Sequence, residues 1–180
     1  MGVSSRSVKD VEDICKEYPK TALPIKLDVT NKDEIKESIQ TINKVYGGLD
    51  VLVNNAGYGY LAAIEEGENE EVRKLFETNF FGALELTKAA LPGMRAQRFG
   101  RIINNSSQAG IMANPGTGYY SASKYALEGL MEALDKELRP LNISVTSVQP
   151  GAFRTDWSGR SMKRSNVCLL YTSPSPRDTN

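Results

Sequence analysis

The residues best placed to do chemistry are a tyrosine and a lysine four positions apart, in Tyr120-Ser121-Ala122-Ser123-Lys124. On a helix that spacing sets both side chains on one face, a turn apart. A phenol with an ordinary pKa of about 10 is a poor base near neutrality. A neighbouring ammonium favours the phenolate and lowers that value, so the pair reads as a general acid/base. The chain has no histidine, which removes Ser-His-Asp and Cys-His mechanisms and the usual zinc sites. Acid–base work then falls to Tyr, Lys or carboxylates. Tyr-x-x-x-Lys alone is also an ordinary pattern of solvated helix surface, so its surroundings decide its meaning.

Two polar residues supply those surroundings. Ser107 lies thirteen positions before Tyr120, just after a strand pattern. A hydroxyl there faces the carboxyl edge of a parallel sheet, where open α/β sheets bind ligands. The alternative is a turn serine at a strand end. Asn79 shares an apolar helix face with Val72, Phe76, Ala83 and Leu86. A buried amide needs partners, and these are either backbone carbonyls in a core or a held water.

The elements that must position these residues alternate short apolar strands with longer helical patterns, the rhythm of a parallel α/β sheet. Leu23–Val29 is expected as a strand, with Thr30 or Asn31 capping the next helix. Asn31 with Glu34 reads as a capping-box variant. Ile35, Ile39, Ile42 and Tyr46 fall at helical spacing, and Gly47-Gly48 closes the helix. Val51–Val53 is a buried strand leading into Asn54-Asn55-Ala56-Gly57, and one long helix is expected from about Asn69 to Arg98. Arg101–Ser106 is the next strand, a Gly- and Pro-bearing loop follows, and a helix runs from about Tyr119 to Leu138. Pro140 stops it, and Ile143–Val148 is β-rich. No repeat or domain linker interrupts the pattern.

Bulk properties narrow the function classes. The 180 residues suffice for one domain with a sizeable core. Lys plus Arg and Asp plus Glu both total 22, a neutrality that argues against nucleic-acid or polyanion binding. No apolar run approaches the ~20 residues of a membrane span. Met1-Gly2-Val3-Ser4-Ser5-Arg6 lacks an apolar signal core, and Arg6 fails the myristoylation pattern. Two cysteines, Cys15 and Cys168, make no disulfide framework and point to a reducing, cytoplasmic setting.

The set Asn54-Asn55-Ala56-Gly57, Asn79, Ser107, Tyr120-x-x-x-Lys124 and Pro150-Gly151-x-x-x-Thr155 resembles the short-chain dehydrogenase/reductase family, over roughly Ser5 to Val167. The resemblance implies a Rossmann-like doubly wound parallel sheet and hydride transfer between NAD(P)(H) and a small carbonyl or secondary alcohol. In it, Tyr120 matches the acid/base, Ser107 the serine that bonds the same oxygen, and Lys124 the lysine beside the tyrosine and the nicotinamide ribose. Asn79 matches the asparagine that keeps a water in the proton relay. Asp28 and Val29 match the pair beside the adenine, Asn54 and Gly57 the cofactor cleft, and Phe153 and Thr155 the carboxamide contacts. Arg6, where the family's second strand gives way to a helix, is expected to pair with a 2′-phosphate, so NADP is the expected cofactor and NAD the alternative. No metal is implied. The helices near Asn69–Arg98 and Tyr119–Leu138 commonly pack across a dimer in the family, so a homo-oligomer is expected.

Gly57-Tyr58-Gly59-Tyr60-Leu61-Ala62 also fits the G-x-G-x-x-A dinucleotide fingerprint. No strand ending in an acid follows about 20 residues on, so the segment is assigned to the Asn-Asn-Ala-Gly motif instead. The family's first strand and its glycine-rich turn, most of its second strand and its last strand have no counterpart in the sequence pattern. A partial domain is therefore expected over residues 1–167. Cys168–Asp178 resembles translated sequencing adaptor over eleven residues, and 168–180 is expected to be artefact or disordered tail. Two rival readings remain at this level: a non-catalytic nucleotide-binding member of the family, and a truncated fragment without function of its own.

Overall fold

The computed structural model describes residues 1–153, 159 and 161–166. Two short parallel strands open the chain, β1 (Gly2–Ser5) and β2 (Leu23–Lys26), with Gly2 opposite Leu23 and Ser5 opposite Lys26. A 3₁₀ turn (Val8–Val11) and α1 (Glu12–Glu17) connect them. Glycine at position 2 lets β1 press on the neighbouring layer, because a Cβ there would come within 2.6 Å of Ile42 Cδ1 and 2.9 Å of Ile25 Cδ1. The strand expected over 23–29, with most of a second strand expected to be missing, is thus corrected twice. It ends at Lys26, and it has β1 beside it. Enough of the second strand is present to pair.

Asn31 caps α2 (Lys32–Tyr46), accepting from the backbone N–H groups of Asp33 and Glu34 at 3.0 and 3.2 Å. The reciprocal half of the capping box does not form. The Glu34 carboxylate instead accepts from Asp28 N at 2.7 Å and Lys26 Nζ at 2.6 Å, while Asn31 N donates to Asp28 O. Gly47, at φ 81°, ends the helix in the left-handed conformation that glycine adopts without steric cost.

The main sheet is parallel, in the order β3 (Val51–Asn54), β5 (Gly100–Asn105), β6 (Ile143–Val148), with β4 (Gly59–Leu61) lying outside it. Asn54 sits opposite Asn104, and Asn105 opposite Val148, so the carboxyl ends of the three strands align. Ile102, Leu138 and Ile143 are sealed in the core against Leu52, Leu86, Ala90 and Met94. Full burial of such side chains stabilises by about 1.5–3 kcal/mol each. On the other face of β3, Val51 and Val53 are 46 % and 55 % exposed. Among the described residues β3 pairs only with β5.

The single long helix expected over 69–98 is three segments. These are α3 (Asn69–Phe76), a π-helical turn (Glu77–Gly82) and α4 (Ala83–Gln97). Such wide turns recur at functional sites because they re-aim side chains, and this one carries Asn79. Strand β4 pairs in parallel with β7 (Met162–Arg164), an arrangement no sequence pattern announced. Extended backbone after Gly57, rather than a helix N-terminus, removes the dinucleotide-fingerprint reading of that segment. Helix α5 (Gly118–Leu138) packs across the sheet near the expected limits. The fold is α/β with parallel strands, as the sequence pattern implies.

Candidate active site

Helix α5 brings Tyr120 and Lys124 to the carboxyl end of β5, where both are buried, at 6 % and 4 % exposure. The Lys124 ammonium lies 5.9 Å from the Tyr120 ring centroid and donates to Asn105 O at 2.8 Å. Ser107 lies two residues past the end of β5. Its Oγ accepts from Ala109 N at 3.1 Å, capping a 3₁₀ turn (Gln108–Gly110). The Ser107 side chain also hydrogen-bonds the Tyr120 hydroxyl.

The electrostatics differ from the sequence expectation. Burial pushes the Tyr120 hydroxyl above its ordinary value, and the Ser107 bond opposes this to a lesser degree. Burial likewise pushes Lys124 down to about 8, partly offset by the Glu128 carboxylate. Tyr120 and Lys124 share one desolvated pocket, so each is driven toward its neutral form. The ammonium was expected to lower the phenol. Burial sets the direction instead, and the ammonium is turned onto the Asn105 carbonyl.

Asn79, from the π-helical turn, is 1 % exposed. Its Oδ1 accepts from Tyr58 N at 3.0 Å, and its Nδ2 donates to Tyr58 O at 2.9 Å and to Ser123 Oγ at 3.2 Å. The side chain makes the backbone contacts that the structural one of the two readings requires. Its amide ties the loop after β3 to α5. A Cβ on Gly57 would stand 3.2 Å from Asn79 Oδ1 and 3.5 Å from Lys124 Nζ, so the backbone at 57 approaches the site as no larger residue could without displacement.

Arg6, Asp28, Val29, Asn54 and Gly57, five of the residues singled out for cofactor contact, line one cleft of about 690 Å³. Asp28 Oδ1 accepts from Thr30 N and Oγ1, which together with nearby Arg6 and Lys26 hold its carboxyl below the usual range. Asn54, buried opposite Asn104, donates to Asn104 Oδ1 at 2.8 Å and Thr87 Oγ1 at 3.0 Å, so its side chain organises the strand ends. Phe153 is 73 % exposed and is not among the cleft residues. Thr155 lies outside the described residues, as does all of 168–180.

Sequence reasoning missed Tyr58, Lys74 and Lys163, which also line the cleft. Lys163 is held there by Glu71 at 2.7 Å, beneath the Tyr58 ring. No periodicity in 159–166 marked that return of the chain. The cleft has a cation and an acid, Arg6 and Asp28, among its lining residues; Tyr120 and Lys124 are not among them, and Lys124 Nζ lies 3.5 Å from where a Cβ on Gly57 would stand. A glycine-rich pyrophosphate turn is not among the described residues.

Parallel strands flanked by helices, with a serine, a tyrosine and a lysine at their carboxyl edge, define the Rossmann-like class. Within it, the chain belongs to the short-chain dehydrogenase family, whose model matches residues 1–166. It is 47 % identical over 132 residues to a 3-ketodihydrosphingosine reductase of Bacteroides thetaiotaomicron, covering 73 % of this chain and 49 % of that protein. It superposes on a short-chain dehydrogenase from Streptomyces avermitilis with a TM-score of 0.89 and 39 % identity, over 94 % of this chain and 63 % of the other. ElxO with NADP bound is similar at TM-score 0.78 and 30 % identity, over 83 % and 62 % of the two chains. The chain spans about half the length of the curated relatives it matches. Among the described residues no helix is long and apolar enough to cross a membrane.

Proposed function

We propose that this chain carries the acid–base half of an NAD(P)-dependent oxidoreductase that interconverts a small carbonyl and its secondary alcohol. The observation that carries the reading is the hydrogen-bonded Ser107–Tyr120 pair with Lys124 buried a helical turn away. A carbonyl oxygen placed between the two hydroxyls accepts from both. A nicotinamide cofactor held in the cleft would supply the hydride, or accept it in the reverse direction. As charge builds on the carbonyl oxygen, the Tyr120 proton crosses to it, and burial of the phenol favours its starting in the neutral, donating form. The Lys124 ammonium then faces a phenolate, which it stabilises by charge. With its own value near 8, Lys124 remains largely protonated at neutral pH. Asn79 holds Gly57 and Tyr58 at the cleft, and Asp28, Val29 and Arg6 receive the adenosine end.

NADP is the proposed cofactor because Arg6 offers a cation at that end, with NAD the alternative. Phe153 and Thr155 retain their proposed carboxamide role from the family resemblance alone. A homo-oligomer built through the helices of 69–98 and 119–138 and a cytoplasmic setting rest on the same resemblance. The test is to incubate the full-length protein with NADPH deuterated at the transferring position and a panel of ketones and aldehydes. Deuterium is expected at the carbinol carbon of the product. Cofactor binding without deuterium transfer to any substrate identifies the non-catalytic rival; the truncated-fragment rival is tested on residues 1–180 alone, which would bind no NADPH where the full-length protein does.

A further inference from the structure

Strand β7 carries Lys163 to the wall of the cleft, and contacts from two other elements fix it there. In the pairing with β4, Lys163 stands opposite Tyr60, which is 1 % exposed in a small core with Ala62 and Leu75. Gly59 N donates to Ser161 O at 2.7 Å and Ser165 N to Leu61 O at 3.0 Å, closing both ends of that pairing. Helix α3 holds the side chain. Glu71 Oε2 lies 2.7 Å from Lys163 Nζ, while Glu71 Oε1 lies 3.1 Å from Lys74 Nζ. The Lys163 ammonium so placed is 5.2 Å from the centre of the Tyr58 ring, within cation–π range. An ion pair as exposed as 53 % and 22 % adds little to stability. Its effect is on placement, because one carboxylate sets two lysines on the same cleft wall.

The charged residues lining the cleft are Arg6, Lys74 and Lys163 against Asp28 and Glu77. Arg6 belongs with Asp28, whose carboxyl it helps to hold low. Lys163 belongs with Tyr58, next to Gly57, and the Gly57 backbone abuts Lys124. Lys74 is shared between Glu70, at 2.7 Å, and Glu71. Among the described residues Lys163 donates to Glu71 alone, and an ammonium has three protons to give, so it keeps donors for a ligand. We propose that Lys163, positioned by Glu71, is a contact for the pyrophosphate of the dinucleotide. A phosphate oxygen accepts from the ammonium in a charge-assisted bond, while another of its protons stays on Glu71. The inference rests on the reading of this cleft as the cofactor site and deepens it. It also separates two cations by role: the pyrophosphate is common to NADPH and NADH, whereas the 2′-phosphate assigned to Arg6 is not.

The test is titration of NADPH and of NADH into the full-length protein, followed by fluorescence with no substrate present. Lys163→Met should raise Kd about ten-fold for both cofactors, the scale of one charge-assisted hydrogen bond, and leave their ratio unchanged. Its Kd should also depend less steeply on salt than that of wild type, because one screened charge contact is gone. Lys163→Arg keeps a cation and should bind close to wild type. Glu71→Gln should weaken binding by less than Lys163→Met does. The double variant should be no weaker than Lys163→Met alone, since Glu71 acts through Lys163. An unchanged Kd, an equal loss with Lys163→Arg, or an unaltered salt dependence overturns the proposal, because a purely structural loss does not follow charge. A Kd that holds while KM rises for a carboxylate-bearing ketone, but not for a neutral one, also overturns it and assigns the cation to the substrate. Tighter binding in Glu71→Gln overturns the positioning role, since the carboxylate would then only compete for the ammonium. Should Lys163→Met fail to fold, Lys163→Gln is read by the same criteria. If wild type binds neither cofactor, the reading of the cleft fails. If wild type binds them and the Lys163 variants match it, the inference alone fails.

Discussion

Asn79→Ala removes the one side chain that ties the loop after β3 to helix α5, and its cost follows from the geometry. The carboxamide accepts from Tyr58 N at 3.0 Å and donates to Tyr58 O at 2.9 Å. Truncation orphans both backbone groups. Ser123 Oγ loses a donor but keeps its own bond to Tyr120 O at 2.7 Å, so that contact adds little. A buried polar group left unpaired costs about 1–3 kcal/mol. Tyr58 is only partly buried, which places each orphan near the low end. With the lost packing of a side chain 1 % exposed, the sum is about 2–3 kcal/mol. Equilibrium urea unfolding of the full-length protein should show this as a lower midpoint with an unchanged slope. The KM for the cofactor should rise, because Gly57 and Tyr58 line its cleft. A stability loss below about 0.5 kcal/mol would refute the clamp and return Asn79 to a water-holding role.

Two further outcomes are expected. Arg6→Ala should lower kcat/KM with NADPH by about ten-fold or more while affecting NADH less, since a charge-assisted contact to the 2′-phosphate is lost; an unchanged ratio of the two cofactors refutes that role. Lys124 sits near 8 in the folded chain against about 10.4 unfolded, so between those values the unfolded state holds the extra proton and stability at this site rises with pH. The melting-temperature difference between wild type and Lys124→Met should therefore move in favour of wild type from pH 7.5 to pH 10, and a constant difference contradicts the burial argument.

Much of the scaffold is legible because local signals and tertiary demands agree. Ile143–Val148 forms the strand its β-branched run implies, Asn31 caps α2, and Gly47 ends it. The failures occur where tertiary contacts decide. Gly2–Ser5 has too little apolar alternation to read as a strand, and becomes one through pairing with Leu23–Lys26 and packing on Ile42. Gly59–Leu61 and Met162–Arg164 are three-residue strands that exist only through each other. The π-helical turn differs from an α-helix by one residue of hydrogen-bond register, and apolar periodicity does not resolve that. Glu34 left the capping box because Lys26 and the Asp28 N–H offered stronger partners.

At the site, spacing brought Ser107, Tyr120 and Lys124 together on the page as the fold does in space. It could not give the sign of the Tyr120 displacement, because desolvation is a property of the packed pocket. Nor could it show that the Asn79 amide meets the Tyr58 backbone, because that position depends on β4.

The central claim is that the Tyr120 hydroxyl delivers the proton. Tyr120→Phe removes that one oxygen from a side chain 6 % exposed and leaves the cleft residues in place. In the full-length protein, turnover with NADPH and an accepted ketone should fall by about 10²–10⁴-fold, while NADPH titration by fluorescence gives an affinity within a few-fold of wild type. Near-normal turnover in that variant, with binding intact, would contradict the account.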